Sequence, residues 1–217
     1  MKFELKVKAK SPIHLSSGQA DVNVDADVIH DRYGMPYFPG RRFKGLLYES
    51  ALEVQEMGQR SGYDRIMQMD MDVLFHHDTD AGDVQLIVPN LYLAEAEEYR
   101  EICQGWADLQ KRYASIITPQ DVLMEYTSIR YQTRLVDGVA AKGSLHNMRV
   151  VDAGTVFTGI LELTGGEAEA YLLPLALAVR NLKTAGLKRN RGFGSLECSM
   201  RLQDGRTEEN IIREALA

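Results

Sequence analysis

The first positions of the chain alternate strictly between apolar and charged side chains. Residues Phe3 to Lys8 place Phe, Leu and Val on one side and Glu, Lys and Lys on the other, which is the period of a strand with one buried face. From Gly40 onward the apolar residues instead recur at helical spacing, at Phe43, Leu47, Ala51 and Val54. This pattern predicts a strand at the start and a helix that begins at Pro39-Gly40 and ends near Gly58.

Further elements follow along the chain, separated by turn-rich stretches. Strand patterns lie over 84–93, 155–163 and 195–202, and helical patterns lie over 95–112, 173–182 and after Arg206-Thr207. Pro89 indicates either an edge position or a break in its strand, because proline cannot donate to a sheet ladder. Pro174 fits the first turn of its helix, and Gly186 is expected to cap that helix. The alternation over 22–28 fits a hairpin arm or an ordered loop.

Two segments interrupt this order of elements. Residues from about 58 to 83 lack a clean period and carry an acidic group around His76-His77, which indicates a loop or helical insertion. Residues 126–151 hold two strand-like limbs around Asp137-Gly138, a pattern typical of a protruding hairpin. Without these insertions the order is strand, helix, strands, helix, strand. It predicts an α+β fold with a ferredoxin-like (RRM-like) βαββαβ core, as a single domain over 1–217.

Composition narrows the class of protein. A chain of 217 residues with 45% hydrophobic content can bury a sizeable core. Its formal net charge of −6 argues against a generally basic, non-specific nucleic-acid binder, so any contact with a polyanion has to be local. Cys103 and Cys198 lack metal-ligand spacing, and the chain shows neither a signal-peptide core nor an apolar run of membrane-spanning length. We expect a cytoplasmic protein that contacts no membrane.

Two short segments combine glycines with clustered cations and contain no Asp or Glu. One is Tyr37 to Leu47, with the sequence YFPGRRFKGLL, and the other is Gly186 to Leu196, with the sequence GLKRNRGFGSL. Glycine lets the backbone take positive φ and bring its N–H groups close to an anion. Cations at a helix start oppose the helix dipole unless an anion binds there. Together the two segments predict a surface for the phosphate backbone of RNA.

The second segment also fits a purely structural role, as a helix C-cap that runs into a glycine-kinked strand. The cations in and just before it exceed what a connection needs. The sequence RGFG at 191–194 begins like the first ribonucleoprotein motif of RNA-recognition domains, but Ser195 and Cys198 replace the aromatics that stack on bases. A Rossmann fingerprint also fails, because the third glycine is missing and a helix precedes the loop.

The pairing of the two segments resembles the RAMP superfamily of CRISPR-associated proteins. A Tyr-Phe-Pro-Gly-x-x-x-Lys-Gly helix entry is followed by a Gly-Leu-Lys-Arg-x-Arg-Gly-Phe-Gly loop before the last strand. Length and layout are most similar to the repeated backbone subunit of type III interference complexes. The resemblance implies that the ribbon over 126–151 inserts, as a thumb, into a guide–target duplex. It implies four kinds of partner: a guide RNA, a target RNA, further copies of the chain in a filament, and other type III effector subunits.

The resemblance also implies which residues bind RNA and which cut it. The implied RNA-binding residues are Arg41, Arg42, Lys44, Gly45, Arg130, Arg134, Lys188, Arg189, Arg191, Gly192 and Gly194. In the family that the chain resembles, target-cleaving members carry an aspartate just before a Val-Ile-x-Asp segment, which is residues 28–31 here. Asp25 matches that position, and Asp27 is a second catalytic candidate. An aspartate there can hold a divalent cation, Mg²⁺ or Mn²⁺, with Asp25 as the ligand, or help activate a ribose 2′-hydroxyl. Arg149 departs from the family pattern, in which an acidic residue is common.

Several of these residues fit a structural role as well as a functional one. Asp21, Asp25 and Asp27 are also compatible with the solvent face of a strand. His14 is either the general base of a guide-processing ribonuclease or a structural histidine beside a Ser-Pro turn. His76-His77-Asp78 lacks the helical period that an HD phosphohydrolase requires. The sequence therefore favours a target-RNA-cleaving backbone subunit. A non-catalytic scaffold or capping subunit is the first alternative, and a guide-RNA-processing endoribonuclease ranks below it.

Overall fold

A computed structural model describes residues 1–21, 23–63, 71–75 and 84–216 of the chain. The strands are β1 (Lys2–Ala9), β2 (Gln85–Ile87), β3 (Thr127–Gln132), β4 (Leu135–Val136), β5 (Val139–Ala140), β6 (His146–Val151), β7 (Val156–Thr164) and β8 (Leu196–Leu202). The helices are α1 (Gly40–Ser61), α2 (Met71–Phe75), α3 (Ala96–Arg112), α4 (Pro119–Tyr126), α5 (Leu172–Asn181) and α6 (Glu208–Leu216).

The main sheet is antiparallel and has the strand order β2-β7-β1-β8. Its elements follow the chain as β1-α1-β2-β7-α5-β8, so β7 lies between β1 and β2. This is the βαββαβ, ferredoxin-like order that the sequence predicts. β1 is central because the alternating residues Phe3, Leu5 and Val7 are completely or almost completely buried. β2 lies at the edge and ends before Pro89, as the missing proline N–H requires.

Helices α1 and α5 pack together against the apolar face of this sheet. Phe43 and Leu47 from α1 share one core with Leu175 and Val179 from α5. The Ser50 hydroxyl of α1 donates a hydrogen bond to the Ala178 carbonyl of α5 at 2.7 Å. α1 runs to Ser61, slightly beyond the predicted end near Gly58. Because α1 is held in this core, it fixes the position of the first cationic segment, most of which lies in its first turns.

Gly186 does not cap α5, in contrast to the prediction from the sequence. α5 ends at Asn181, and the next residue, Leu182, is extended. Gly186 has a φ of 82°, and a Cβ at this position would lie 2.7 Å from the His14 carbonyl oxygen. A glycine is therefore needed because the loop packs directly on the backbone that follows β1.

The expected ribbon is formed by β3 and β6, and β4 and β5 pair at its tip. Asp137 and Gly138 both have positive φ, of 51° and 80°, as a two-residue type I′ hairpin turn requires. Leu135 and Val139 at the tip are 63% and 70% exposed. The ribbon therefore presents apolar side chains to the surroundings.

Three stretches add to the sequence-based picture. The described residues of the first stretch, 16–21 and 23–28, form an ordered loop rather than a hairpin arm, with isolated bridges between Ser16 and Val28 and between Asp21 and Val24. α4 was not predicted, although Thr118 and Asp121 form a capping box at its start. In the insertion over 58–83 the short helix α2 is described, whereas His76-His77-Asp78 lies outside the described residues.

Within the described ranges no helix has the length and apolarity to cross a bilayer.

Candidate nucleic-acid interface

The stretch of residues 10–16, which we call the junction segment, lies at the centre of the candidate site. Its Pro12 carbonyl accepts a hydrogen bond from the Gly194 N–H at 2.9 Å, so the second cationic segment is attached to it. Ile13 pairs with Val151 of β6 through two backbone bonds of 2.9 and 2.8 Å. The junction segment therefore fixes the glycine-rich loop and the base of the ribbon to each other.

The first cationic segment, Tyr37 to Leu47, is also attached to the junction segment. The Arg42 guanidinium donates to the Ser16 carbonyl at 3.0 Å. Burial lowers the pKa of His14, its hydrogen bond to the Arg149 carbonyl raises it, and the positive charges of Lys188 and Arg42 lower it further. A cation from each segment thus lies within electrostatic reach of one imidazole. The two segments converge, as the sequence-based proposal of a single RNA surface requires.

The arginines of both segments face solvent. Arg41, Arg42, Arg189 and Arg191 are all exposed. Within the described part of the chain, none of them forms an ion pair. Their charge is therefore available to an external anion, because an exposed guanidinium that no carboxylate neutralises can bind phosphate, and Arg42 keeps donors beyond the one bonded to Ser16.

Lys44 and Arg41 line a neighbouring cleft, of about 710 Å³, together with Gly45 and residues of β2. The Lys44 ammonium donates to the Leu86 carbonyl of β2 at 2.9 Å, and burial lowers the pKa of this lysine. Lys44 therefore attaches α1 to the edge strand. Direct contact of Lys44 and Gly45 with RNA stays a prediction.

Lys188 joins the glycine-rich loop to the ribbon at the end of the β3–β6 pairing that lies farthest from Val151. Its φ of 59° lies in the left-handed region, which residues with a side chain seldom adopt. Its ammonium donates to Gln132 Oε1 at 2.5 Å and lies 3.1 Å from His146 Nε2. Gln132 and His146 are paired across β3 and β6. The Lys188 ammonium is therefore bound to side chains of the ribbon. Arg130 and Arg134, which lie on that ribbon, are exposed.

The two glycines of the loop differ in what they do. Gly194 is buried and has a φ of 73°, and a Cβ there would lie 1.9 Å from the Ala185 carbonyl oxygen. Its N–H already donates to Pro12. Gly192 is exposed, has a φ of 81° and would place a Cβ in open space. Gly194 therefore shapes the loop, and Gly192 is the one whose backbone is accessible to a ligand.

Asp25 is exposed and held by a reciprocal pair of bonds to the ribbon. Its N–H donates to Asn147 Oδ1 at 2.8 Å, and the Asn147 N–H donates to Asp25 Oδ2 at 2.8 Å. Asp25 Oδ1 has no hydrogen-bond partner among the described residues. The carboxylate is thus fixed through one oxygen and leaves the other available.

Asp27 is buried in an ion pair. Its side chain is 8% exposed, and Oδ1 accepts from Arg149 Nε at 2.8 Å and from the Val28 N–H at 2.8 Å. Arg149 is 5% exposed and also donates to Thr127 Oγ1 at 3.3 Å. Arg149 is therefore the counter-ion of Asp27. Of the two catalytic candidates only Asp25 offers an accessible oxygen.

His14 is packed inside the junction segment. It is 1% exposed, and its Nδ1 lies 2.6 Å from the Arg149 carbonyl oxygen. Its Nε2 has no hydrogen-bond partner within the residues that the structure describes. A general base has to come within hydrogen-bond reach of the proton that it abstracts. The buried ring favours a structural role for His14 over a role in guide processing.

The metal that the family resemblance implies would depend on Asp25. Among the described residues, no three His, Cys, Asp or Glu side chains cluster in a way that could hold a metal ion. Mg²⁺ is commonly bound through one or two carboxylates, with water and substrate phosphates as the other ligands. A single exposed carboxylate oxygen, at Asp25, fits that kind of site.

Comparison with known proteins gives a family and a fold. The family model of the RAMP superfamily matches residues 6–197. Among solved structures, a chain of the cryo-EM structure of the Type III-B Cmr-beta bound to cognate target RNA is 13% identical, with a TM-score of 0.60 over 98% of this chain and 99% of that chain. A chain of the apo-state Type III-B Cmr-beta structure is 13% identical, with a TM-score of 0.59 over 91% and 96%. At this identity the likeness shows the fold. No curated protein sequence matches the chain.

The buried ion pair leads to a prediction about stability. Arg149→Met leaves the Asp27 carboxylate buried without a counter-ion, so we expect the free energy of unfolding to fall by about 3 to 5 kcal/mol. Adding Asp27→Asn removes that charge and should restore most of the loss. Lys10→Met, which breaks the exposed pair with Glu197, is the control and should cost about 1 kcal/mol or less. Equal effects of Arg149→Met and Lys10→Met in urea unfolding would contradict this assignment.

Proposed function

Because the chain belongs to the RAMP superfamily, we propose that it is the guide-RNA-binding backbone subunit of a type III CRISPR effector complex, and that it cleaves complementary target RNA at regular intervals. The convergence of the two cationic segments on the junction segment carries this proposal. The likeness in fold to the Type III-B Cmr-beta structures, one of which is bound to cognate target RNA, supports it.

The guide backbone would lie across the exposed arginines of the two segments. Arg42, Arg189 and Arg191 supply the charge, and the start of α1 supplies backbone N–H groups in a first turn that contains no acidic residue. The open face of the main sheet suits RNA less well, because two of its lysines, Lys2 and Lys6, are paired with glutamates. Lys6, for example, lies 2.8 Å from Glu4 and 3.9 Å from Glu95. RNA would therefore bind beside the sheet rather than on it.

Cleavage would proceed at Asp25. Its free carboxylate oxygen would help to remove the proton from the 2′-hydroxyl of a target nucleotide, whose oxygen then attacks the adjacent phosphorus. The bond between phosphorus and the 5′-oxygen of the next nucleotide breaks, and that oxygen takes a proton from water, so the products carry a 2′,3′-cyclic phosphate and a 5′-hydroxyl. Alternatively, Asp25 would use this oxygen to hold a divalent cation, Mg²⁺ or Mn²⁺, which would neutralise the phosphate charge. The exposed Arg130 and Arg134 would hold the ribbon against the duplex.

The partners in this proposal are the guide RNA, the target RNA, neighbouring copies of the chain and other type III effector subunits. The alternative within the same family is a scaffold or capping subunit that does not cut. Copy number separates the two functions. A backbone subunit repeats along one guide, whereas a cap is present once in each complex.

We expect Asp25→Ala to abolish cleavage of target RNA by the assembled complex. Guide binding should be retained, because Asp25 is exposed and forms no contact with the arginines of the two cationic segments. Asp25→Asn, which preserves an acceptor for the Asn147 N–H, should fail in the same way. The measurement is the length distribution of labelled target RNA after incubation with each complex.

Asp108→Ala removes an exposed aspartate of α3 and is the matched control for this experiment. It should cut like the unchanged protein. Target fragments at the regular sites with Asp25→Ala would remove Asp25 from the mechanism and favour the non-catalytic alternative or another residue.

Replacing Arg189 and Arg191 together by Ala should weaken guide-RNA binding regardless of sequence. Each lost phosphate contact lowers the slope of log K against log salt by about 1, so the expected decrease is about 2 for the pair. The same net charge is removed by Arg60→Ala with Arg213→Ala, two arginines already in ion pairs on helix surfaces. An equal change of slope in both double variants would mean that net charge, and not this loop, attracts the RNA.

A further inference from the structure

We propose that Asn147 is a positioning residue for the Asp25 carboxylate, an inference that rests on the function proposed above. Asn147 makes three hydrogen bonds to the loop that holds Asp25. Its side-chain Oδ1 accepts from the Asp25 N–H at 2.8 Å, its Nδ2 donates to the Asn23 carbonyl at 3.0 Å, and its own N–H donates to Asp25 Oδ2 at 2.8 Å. One residue of β6 thus holds both the backbone and the carboxylate of the catalytic candidate.

The side chain at this position has to accept and donate at once. Only an amide offers a carbonyl oxygen and an NH₂ group at this length. Aspartate could accept from the Asp25 N–H but could not donate to the Asn23 carbonyl, and it would place a second negative charge beside Asp25. Alanine would retain only the bond from its own backbone N–H.

The loop that holds Asp25 runs beside β6 for a short distance. Asn147 is the first residue of β6 that forms hydrogen bonds to this loop. The next is the Arg149 N–H, which donates to the Ala26 carbonyl at 2.9 Å. Between them the exposed Asp25 is flanked by the buried Val24. Without the Asn147 amide, the Asp25 carboxylate would be held by a single hydrogen bond, from the Asn147 backbone N–H.

Positioning of this kind affects the chemical step rather than binding. The bond to Oδ2 fixes the orientation of the carboxylate and leaves Oδ1 without a protein partner among the described residues, and a shift of about 1 Å in a catalytic group can lower a rate by about 100-fold. Asn147 itself need not touch RNA to have this effect. Its loss should therefore lower kcat and leave the affinity for target RNA unchanged.

The test uses the assembled complex with its guide RNA and Asn147→Ala. We expect the single-turnover cleavage rate at saturating target to fall about 10- to 100-fold, the usual effect of losing an outer partner of a catalytic ligand. The target Kd, the guide affinity and the melting temperature should stay close to those of the unchanged complex. The matched control is Asn181→Ala, which removes an asparagine bonded to Ser50 and Glu53 between α1 and α5 and should cut at the normal rate.

Three outcomes overturn the inference. Normal cleavage by Asn147→Ala would show that the backbone bonds suffice to hold Asp25. A loss of target or guide affinity as large as the loss of rate would make Asn147 a residue for RNA binding or folding. Failure of the unchanged complex to cut target RNA would overturn the proposed catalysis itself, and the role of Asn147 with it. The first two outcomes leave the proposed function standing.

Discussion

The backbone of the junction segment is the constraint on which the candidate site depends. Its residues bond to the glycine-rich loop on one side, where Gly194 donates to Pro12, and to β6 on the other, where Ile13 pairs with Val151. Neither cationic segment contacts the other directly in the hydrogen bonds of the described residues. Both are held in place because each is attached to the same stretch of chain after β1.

The charged residues around this junction divide into two groups. Arg149 and Lys188 are bound to protein atoms, Arg149 through the buried pair with Asp27 and Lys188 through its bond to Gln132 of the ribbon. They hold the loop, the ribbon and the catalytic candidate in register. Arg42, Arg189 and Arg191 are exposed and keep their charge for a ligand. An acidic protein can in this way present a local cationic surface without being basic overall.

The sequence predicted the fold well where a single period decides the element. β1, α1, α3 and α5 follow from alternation or helical spacing, and the order of elements gave the ferredoxin-like core. Gly186 was misassigned because a positive φ is needed both at a helix cap and where a loop packs on another backbone, and only tertiary contacts separate the two. α4 was missed although its capping box is visible in the sequence.

The sequence alone was enough to predict which two segments form the candidate site, but not which residues their side chains bond to. The glycine and cation clusters identified the two segments, since no Asp or Glu interrupts them. The different fates of Asp25 and Asp27 depend on a partner more than a hundred residues away in the chain, Asn147 for one and Arg149 for the other. No local pattern encodes such pairs. The contacts of Lys188 with Gln132 and His146 of the ribbon also join residues far apart in the sequence.

The most direct test of a single RNA surface is a cryo-electron microscopy map of the chain assembled on its guide RNA. We expect one continuous RNA strand to pass both Arg42 and the loop from Arg189 to Arg191 on the same subunit, next to the junction segment. A strand that contacts only one of the two cationic segments, or that lies on the open face of the main sheet, would contradict this account.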